Sequence, residues 1–299
     1  MPPHAPHPGA CPPQSCPDRP WDNTTARLRA IALAQLSSSS ASALRTSWDL
    51  DEYFDRTFVI SLPSRADRQR HLADQLRRHG SRRFEMFPAV QGHLVAQREP
   101  ERWAKRLKTD EVDVLPTPEG AIGCFLSHYA VLKRAREAKL RSFLVLEDDI
   151  VFLPRAGKRF RMAMAQLPDD WDALYLGYNR YFAPARDCDD RPPSRPIGCR
   201  CSERNICPAR GGLLHTHAIA YHARALDWLL PLLSKVDEAA SSRLMPVDLE
   251  IRTYIEQHHD SIGVHAVLPS PLVSQNRSSQ SDIYRAGMYE ESGGRSHSR

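Results

Sequence analysis

The chain has 299 residues, of which 41% are hydrophobic and 26% charged, and a formal net charge of +5. That composition suits one large or two small globular domains with a full core, and the charge is too mild and too evenly spread to argue for a nucleic-acid or membrane partner. No apolar run reaches the ~18 residues of a membrane span, and the start MPPHAPHPGACPP lacks the basic-then-apolar pattern of a signal peptide.

Residues 1–48 are rich in Pro, Ser and Ala and are expected to form a disordered tail, with at most a short helix at 26–36. One domain is expected over 49–285, followed by a flexible tail at 286–299. Residues 57–62, TFVISL, are β-branched and apolar and predict a first strand, which Pro63 and Ser64 break. A helix from Arg65 to about His79 follows, with Leu72 and Leu76 on one face and Gly80 as its stop. Residues 84–90 predict a second strand, and 91–116 are polar and poorly patterned. Thr117 as cap and Pro118 as first helical residue start a long helix to about Lys139. Its apolar stripe is Ile122, Phe125, Tyr129 and Leu132. Strands are expected at 142–146, 172–177, 216–221 and 263–268, and helices near 156–166, 223–233 and 247–257. This alternation predicts an α/β fold built on a single, mainly parallel sheet with helices on both faces.

Seven cysteines are present, and Cys188, Cys199, Cys201 and Cys207 fall within 20 residues. Their segment, 183–212, reads as an insertion. The spacing is not that of a paired CxxC zinc site, so disulfides rank ahead of free thiols and zinc. Clustered cysteines favour a secretory lumen over the cytoplasm, although no signal peptide is visible.

The feature richest in chemistry is the run Glu147-Asp148-Asp149 at the end of the SFLVL strand, before Ile150-Val151-Phe152-Leu153. Adjacent carboxylates beside a core strand repel one another, and burying them costs free energy unless a cation satisfies them. The carboxyl end of a strand in an α/β sheet is also where ligands bind. A hard divalent cation shared with substrate phosphates is the economical reading, and a solvated acidic turn is the alternative. Strand alternation points Glu147 and Asp149 to one side and Asp148 to the other.

Five blocks then carry a resemblance: FVISLPSRADRQRHL at 58–72, FPAVQGH at 87–93, GAIGCFLSHYAVLKRA at 120–135, FLVLEDDIVF at 143–152, and THAIAY at 216–221 with PVDLEI at 246–251. A trailing PLVSQNRSSQSDI at 271–283 fits as well. The chain resembles glycosyltransferase family 25, which includes bacterial lipooligosaccharide galactosyltransferases and collagen galactosyltransferase domains, over roughly 57–284. The resemblance implies a GT-A-like Rossmann-type sheet, a UDP-sugar donor and a saccharide or glycoprotein acceptor. It also implies Mn2+ (or Mg2+) and an inverting transfer of a hexose, galactose first.

Candidate roles follow residue by residue. Leu62, Arg65, Asp67 and Arg68, at the first strand-to-helix turn, suit a diphosphate or uridine; the alternative is ordinary first-turn charge. Ser127 and His128 are donor-site residues by resemblance. Cys124 reads as a buried small residue rather than a nucleophile. Asp149 is the expected direct metal ligand, with Glu147 on the metal or, like Asp148, on the ribose. Asp248 is the first choice for general base and Glu250 the second, and a helix cap is the alternative for Asp248. His217 is placed on the acceptor side, near the metal, or in a structural role, and Ser281 and Asp282 are expected to close over the donor. Two rival readings remain, an inert GT-A-like binding domain and a cysteine-stabilised interaction module over 188–217.

Overall fold

The computed structural model describes residues 23–37, 49–104, 118–179, 205–210, 213–237, 245–268 and 270–275. The strands are β1 (Arg56–Ser61), β2 (Phe84–Pro88), β3 (Ser142–Glu147), β4 (Ile150–Phe152), β5 (Ala173–Asn179), β6 (Ile206–Pro208), β7 (Leu214–His222), β8 (Val264–Val267) and β9 (Val273–Gln275). The helices are α1 (Thr24–Ser37), α2 (Leu50–Tyr53), α3 (Ala66–Arg78), α4 (Gly92–Arg98), α5 (Pro100–Ala104), α6 (Pro118–Glu137), α7 (Ala156–Ala165), α8 (Leu226–Leu233) and α9 (Val247–His258). None of them is long and apolar enough to cross a membrane.

Seven strands form one sheet in the order β2-β1-β3-β7-β5-β8-β6, and β4 pairs with β9 in a small second sheet. In the large sheet β1, β2, β3, β5 and β8 run one way, and β7 and β6 run against them. The predicted α/β sheet, mostly parallel and covered on both faces, is therefore present. Period-two alternation sorts the side chains into two cores. Phe58, Ile60, Phe143, Val145, Tyr175, Ile219 and Tyr221 face α6, α8 and α9. Val59, Leu144, Leu146, Leu174, Leu176 and Ala220 face α1, α3 and α7. On the first face Phe143 lies edge-on to Phe58 at 6.3 Å and tilted against Tyr221 at 5.3 Å. Each such pair adds about 0.5–1.5 kcal/mol beyond area burial.

Three expectations need correction. Residues 24–37, expected to carry at most a short helix at 26–36 within a disordered tail, form the longer α1, which packs onto the domain and buries Thr24, Thr25, Leu28 and Ala32. Its cue was weak because Leu28 is the one large anchor, and Leu33 and Leu36 stay exposed. The polar stretch after β2 contains α4 and α5, and the burial of Trp103 fixes the second of them. The end of the supposed insertion is part of the sheet, since β6 is its edge strand, antiparallel to β8. The rest of that insertion, with Cys188, Cys199 and Cys201, and also Ser281, Asp282 and the tail at 286–299, lies outside the described residues.

Candidate active site

A cleft of about 450 Å³ opens at the carboxyl ends of β1, β2 and β3. Leu62 and Ser64 follow β1, Val90 and Gln91 follow β2, and Glu147, Asp148 and Asp149 end β3. The first turns of α6 roof it with Gly123, Cys124, Ser127 and His128. Two glycines let this roof close. A Cβ on Gly92 would lie 1.7 Å from the Glu119 carbonyl oxygen, and one on Gly123 would lie 2.6 Å from that of Val90. Ser127 ties the same elements together, because its Oγ accepts from Val90 N at 2.8 Å and donates to Gly123 O at 2.6 Å. Both hydrogen-bonding roles of Ser127 serve the scaffold.

The acidic run divides by strand parity. Glu147 follows Phe143 and Val145 onto the α6 face. Its Oε1 lies 3.2 Å from His128 Nε2 and accepts from Thr216 Oγ1 at 2.9 Å. Burial alone would raise the Glu147 carboxyl, but His128, His217 and the Thr216 hydroxyl outweigh it and hold the pKa at about 2. Asp148 turns to the α3 face. Its Oδ2 accepts from Ser61 Oγ at 2.7 Å and its Oδ1 pairs with Arg68 at 3.1 Å, both side chains being buried. Arg68 thus balances an internal carboxylate. Asp149 differs from both. Its Oδ1 is buried with no hydrogen-bond partner, and burial, then Glu147 and Asp148, push its pKa up to about 7. An orphaned, half-protonated carboxyl among carboxylates suits a cation with oxygen ligands.

The other candidates lie apart from the cleft lining. Arg65 and Asp67 pair with each other at 3.4 Å at the surface. Glu250 is buried on α9, where it pairs with Lys235 at 3.5 Å and accepts from Met245 N at 3.2 Å. Those contacts fix α9 and leave Glu250 no part in the cleft. Asp248, in the first turn of α9, accepts from Leu249 N at 3.0 Å and from His215 N at 3.3 Å. His215 has a left-handed backbone, φ 73°, and its Nδ1 lies 3.1 Å from Gln275 Oε1. Asp248 does not line the cleft, but its charge bears on Cys124 in the cleft wall. His217 is buried between Glu147 and β5, and a Cβ on Gly177 would lie 2.3 Å from its Nε2. Neither ring nitrogen makes a hydrogen bond of normal geometry. Burial, then His215, bring its pKa down to about 4 against the pull of Glu147, so the imidazole is neutral at pH 7.

Sequence reading missed three participants. Ser61 and Thr216 hold the acidic run; strand parity from Val59 was the available signal for Ser61, whereas parity from Ala218 would place Thr216 on the face opposite Glu147, and the irregular start of β7 at His215 gave no cue. Cys124, read as a space-filling residue, has its sulfur within 4.8 Å of His128 Nε2 and a Glu147 carboxylate oxygen. The 124/128 spacing on one helix face was the cue.

Residues 54–183 match the family described as glycosyltransferase family 25 (LPS biosynthesis protein). A Mus musculus procollagen galactosyltransferase 2 is 29% identical over 133 residues, covering 42% of this chain and 21% of its own length. A Xenopus laevis procollagen galactosyltransferase 1-B is 34% identical over 133 residues, 42% of this chain and 22% of its own. A Bos taurus protein named "Probable inactive glycosyltransferase 25 family member 3" is 28% identical over 227 residues, 69% of this chain and 32% of its own. The matches to the two galactosyltransferases thus span about a fifth of those relatives' length.

Proposed function

We propose, for a chain whose residues 54–183 are similar to glycosyltransferase family 25, the transfer of a hexose from a UDP-sugar to a hydroxyl of a saccharide or glycoprotein. Galactose is the first candidate, from the names of the relatives, and the sheet is read as GT-A-like. The observation that carries this reading is the unsatisfied, buried Oδ1 of Asp149 in a cleft at the carboxyl ends of the strands. Asp149, with Glu147 beside it, fits a manganese or magnesium ion. Such an ion, when bound, supplies positive charge that stabilises the nucleoside diphosphate as it leaves.

The chain's own groups do the rest. Asp148, fixed by Ser61 and Arg68, keeps the turn after β3 rigid beneath the donor. His128 and Thr216 keep Glu147 ionised and oriented. The acceptor oxygen forms a bond to the anomeric carbon as the bond from that carbon to the phosphate oxygen breaks, with inversion. The proton of the acceptor hydroxyl passes to the Asp248 carboxylate, which His215 N and Leu249 N hold in place. Cys207, in β6, is disulfide-bonded, which supports disulfides over zinc in the cysteine-rich segment.

The name of the bovine relative favours a second reading, a domain that binds the donor and performs no transfer. Donor hydrolysis across a panel of nucleotide sugars, with and without manganese, tests both. Manganese-dependent hydrolysis of a UDP-hexose supports the transferase. Donor binding with no turnover on any sugar supports the inert reading, and absence of binding rejects both.

A further inference from the structure

We propose that Cys124, His128 and Glu147 form a binding site for a soft divalent cation of the zinc class, distinct from the all-oxygen position at Asp149. Cys124 and His128 lie one turn apart on the same face of α6. Glu147 comes from the last position of β3, on the face that meets α6. A core strand and a twenty-residue helix are the kind of rigid element that holds ligands in place.

The distances suit such an ion. His128 Nε2 and Glu147 Oε1 are 3.2 Å apart, and all three ligand atoms lie within 4.8 Å of one another. Tetrahedral zinc with bonds of ~2.0–2.3 Å places its ligand atoms roughly 3.3–3.8 Å apart. The sulfur therefore has about 1 Å to travel, within reach of a small side-chain rotation. Thiolate, imidazole and carboxylate make a donor set that prefers zinc or cobalt to manganese or magnesium. All three residues line the cleft, so the fourth coordination position faces open space, the pattern of a site with three protein ligands and one exchangeable one. Burial, and then the charges of Glu147, Asp248 and Asp149, hold the Cys124 thiol protonated in the metal-free protein, and the same three charges favour a cation in place of that proton. Binding exchanges the thiol proton for the metal and releases that proton to solvent.

Glu147 belongs to both constellations, so zinc held here would withdraw it from the donor side and inhibit transfer. That consequence rests on the transferase reading, whereas the cation site does not.

The test is a cobalt(II) titration of the metal-free full-length protein, read by absorption. One cobalt per chain is expected, with a thiolate-to-cobalt charge-transfer band and tetrahedral visible bands, all displaced by zinc. Cys124→Ser, nearly isosteric, should lose the charge-transfer band while keeping the circular dichroism of the wild type. His128→Gln keeps the thiol and should weaken cobalt binding on the order of tenfold or more. No band in the wild type overturns the proposal. A band unchanged in Cys124→Ser does so too, since it assigns the metal to the other cysteines, as does an unchanged affinity in His128→Gln.

Discussion

Asp149→Asn removes one charge and almost no volume, and its effect on stability should grow with pH. In the metal-free protein the Asp149 carboxyl titrates at about 7 instead of 3.8. That difference sets roughly 4 kcal/mol against folding once the pH exceeds both values. The sign follows from the raised folded-state value. Well below 3.8 the group is protonated in both states and costs nothing, and the cost accrues as the pH rises from there toward 7. About 2–3 kcal/mol of it should fall between about pH 5 and about pH 8. Glu147 and His217 titrate in both proteins, so the difference between wild type and variant isolates Asp149. Urea unfolding at the two pH values reads it directly. The variant should gain on the metal-free wild type as pH rises. Manganese should restore the wild type at the higher pH and do little for the variant. Parallel pH profiles, or equal stabilisation of both proteins by manganese, would refute both the buried carboxyl and its assignment to the cation.

Asp248→Asn should lower transfer ~10²–10⁴-fold with donor and manganese binding intact, because the amide keeps the size of the side chain and, through its one oxygen, one of the two backbone N–H contacts, and cannot take a proton. Near-normal turnover would return Asp248 to the role of helix cap. Glu250→Gln breaks the pair with Lys235 and should lower stability by about 1–3 kcal/mol while the folded protein keeps its turnover number; loss of turnover at full stability would make Glu250 the base. Arg68→Leu leaves Asp148 buried without its cation and should cost about 3–5 kcal/mol in chemical unfolding. A cost below about 1 kcal/mol would show that the pair lies in solvent.

The elements with strong apolar periods were legible. TFVISL, SFLVL and DALYLG became β1, β3 and β5, and the stripe from Ile122 to Leu132 became the buried face of α6. Gly80 stops α3 with φ 85°, as its position predicts. What escaped has a physical cause. α1, α4 and α5 are short or weakly patterned, and their order comes from docking. β6 is three residues long and exists as a strand because β8 offers it an edge. At the site, the residue types were visible and the partners were not. Arg68 read as a phosphate ligand and lines the cleft, but its pairing with Asp148, 80 residues away in sequence, was not visible. Glu250 looked like a spare carboxylate because Lys235 reaches it from the turn after α8 and the Met245 amide from the turn that enters α9, neither of which is marked by a residue pattern.

The position of β7 bears on how the chain can be made. It stands between β3 and β5, antiparallel to both, and the remaining ladder partner of β5 is β8. The stretch that matches the family, 54–183, contains neither β7 nor β8. A chain ending there would leave β3 with one open edge and β5 with no strand beside it, a template for aggregation. Thr216 follows Glu147 by 69 residues, so a ribosome adding ~5–20 residues per second leaves that edge open for roughly 3–14 s. The matching stretch is thus not a unit of folding, and soluble expression should begin only with chains that extend through β8.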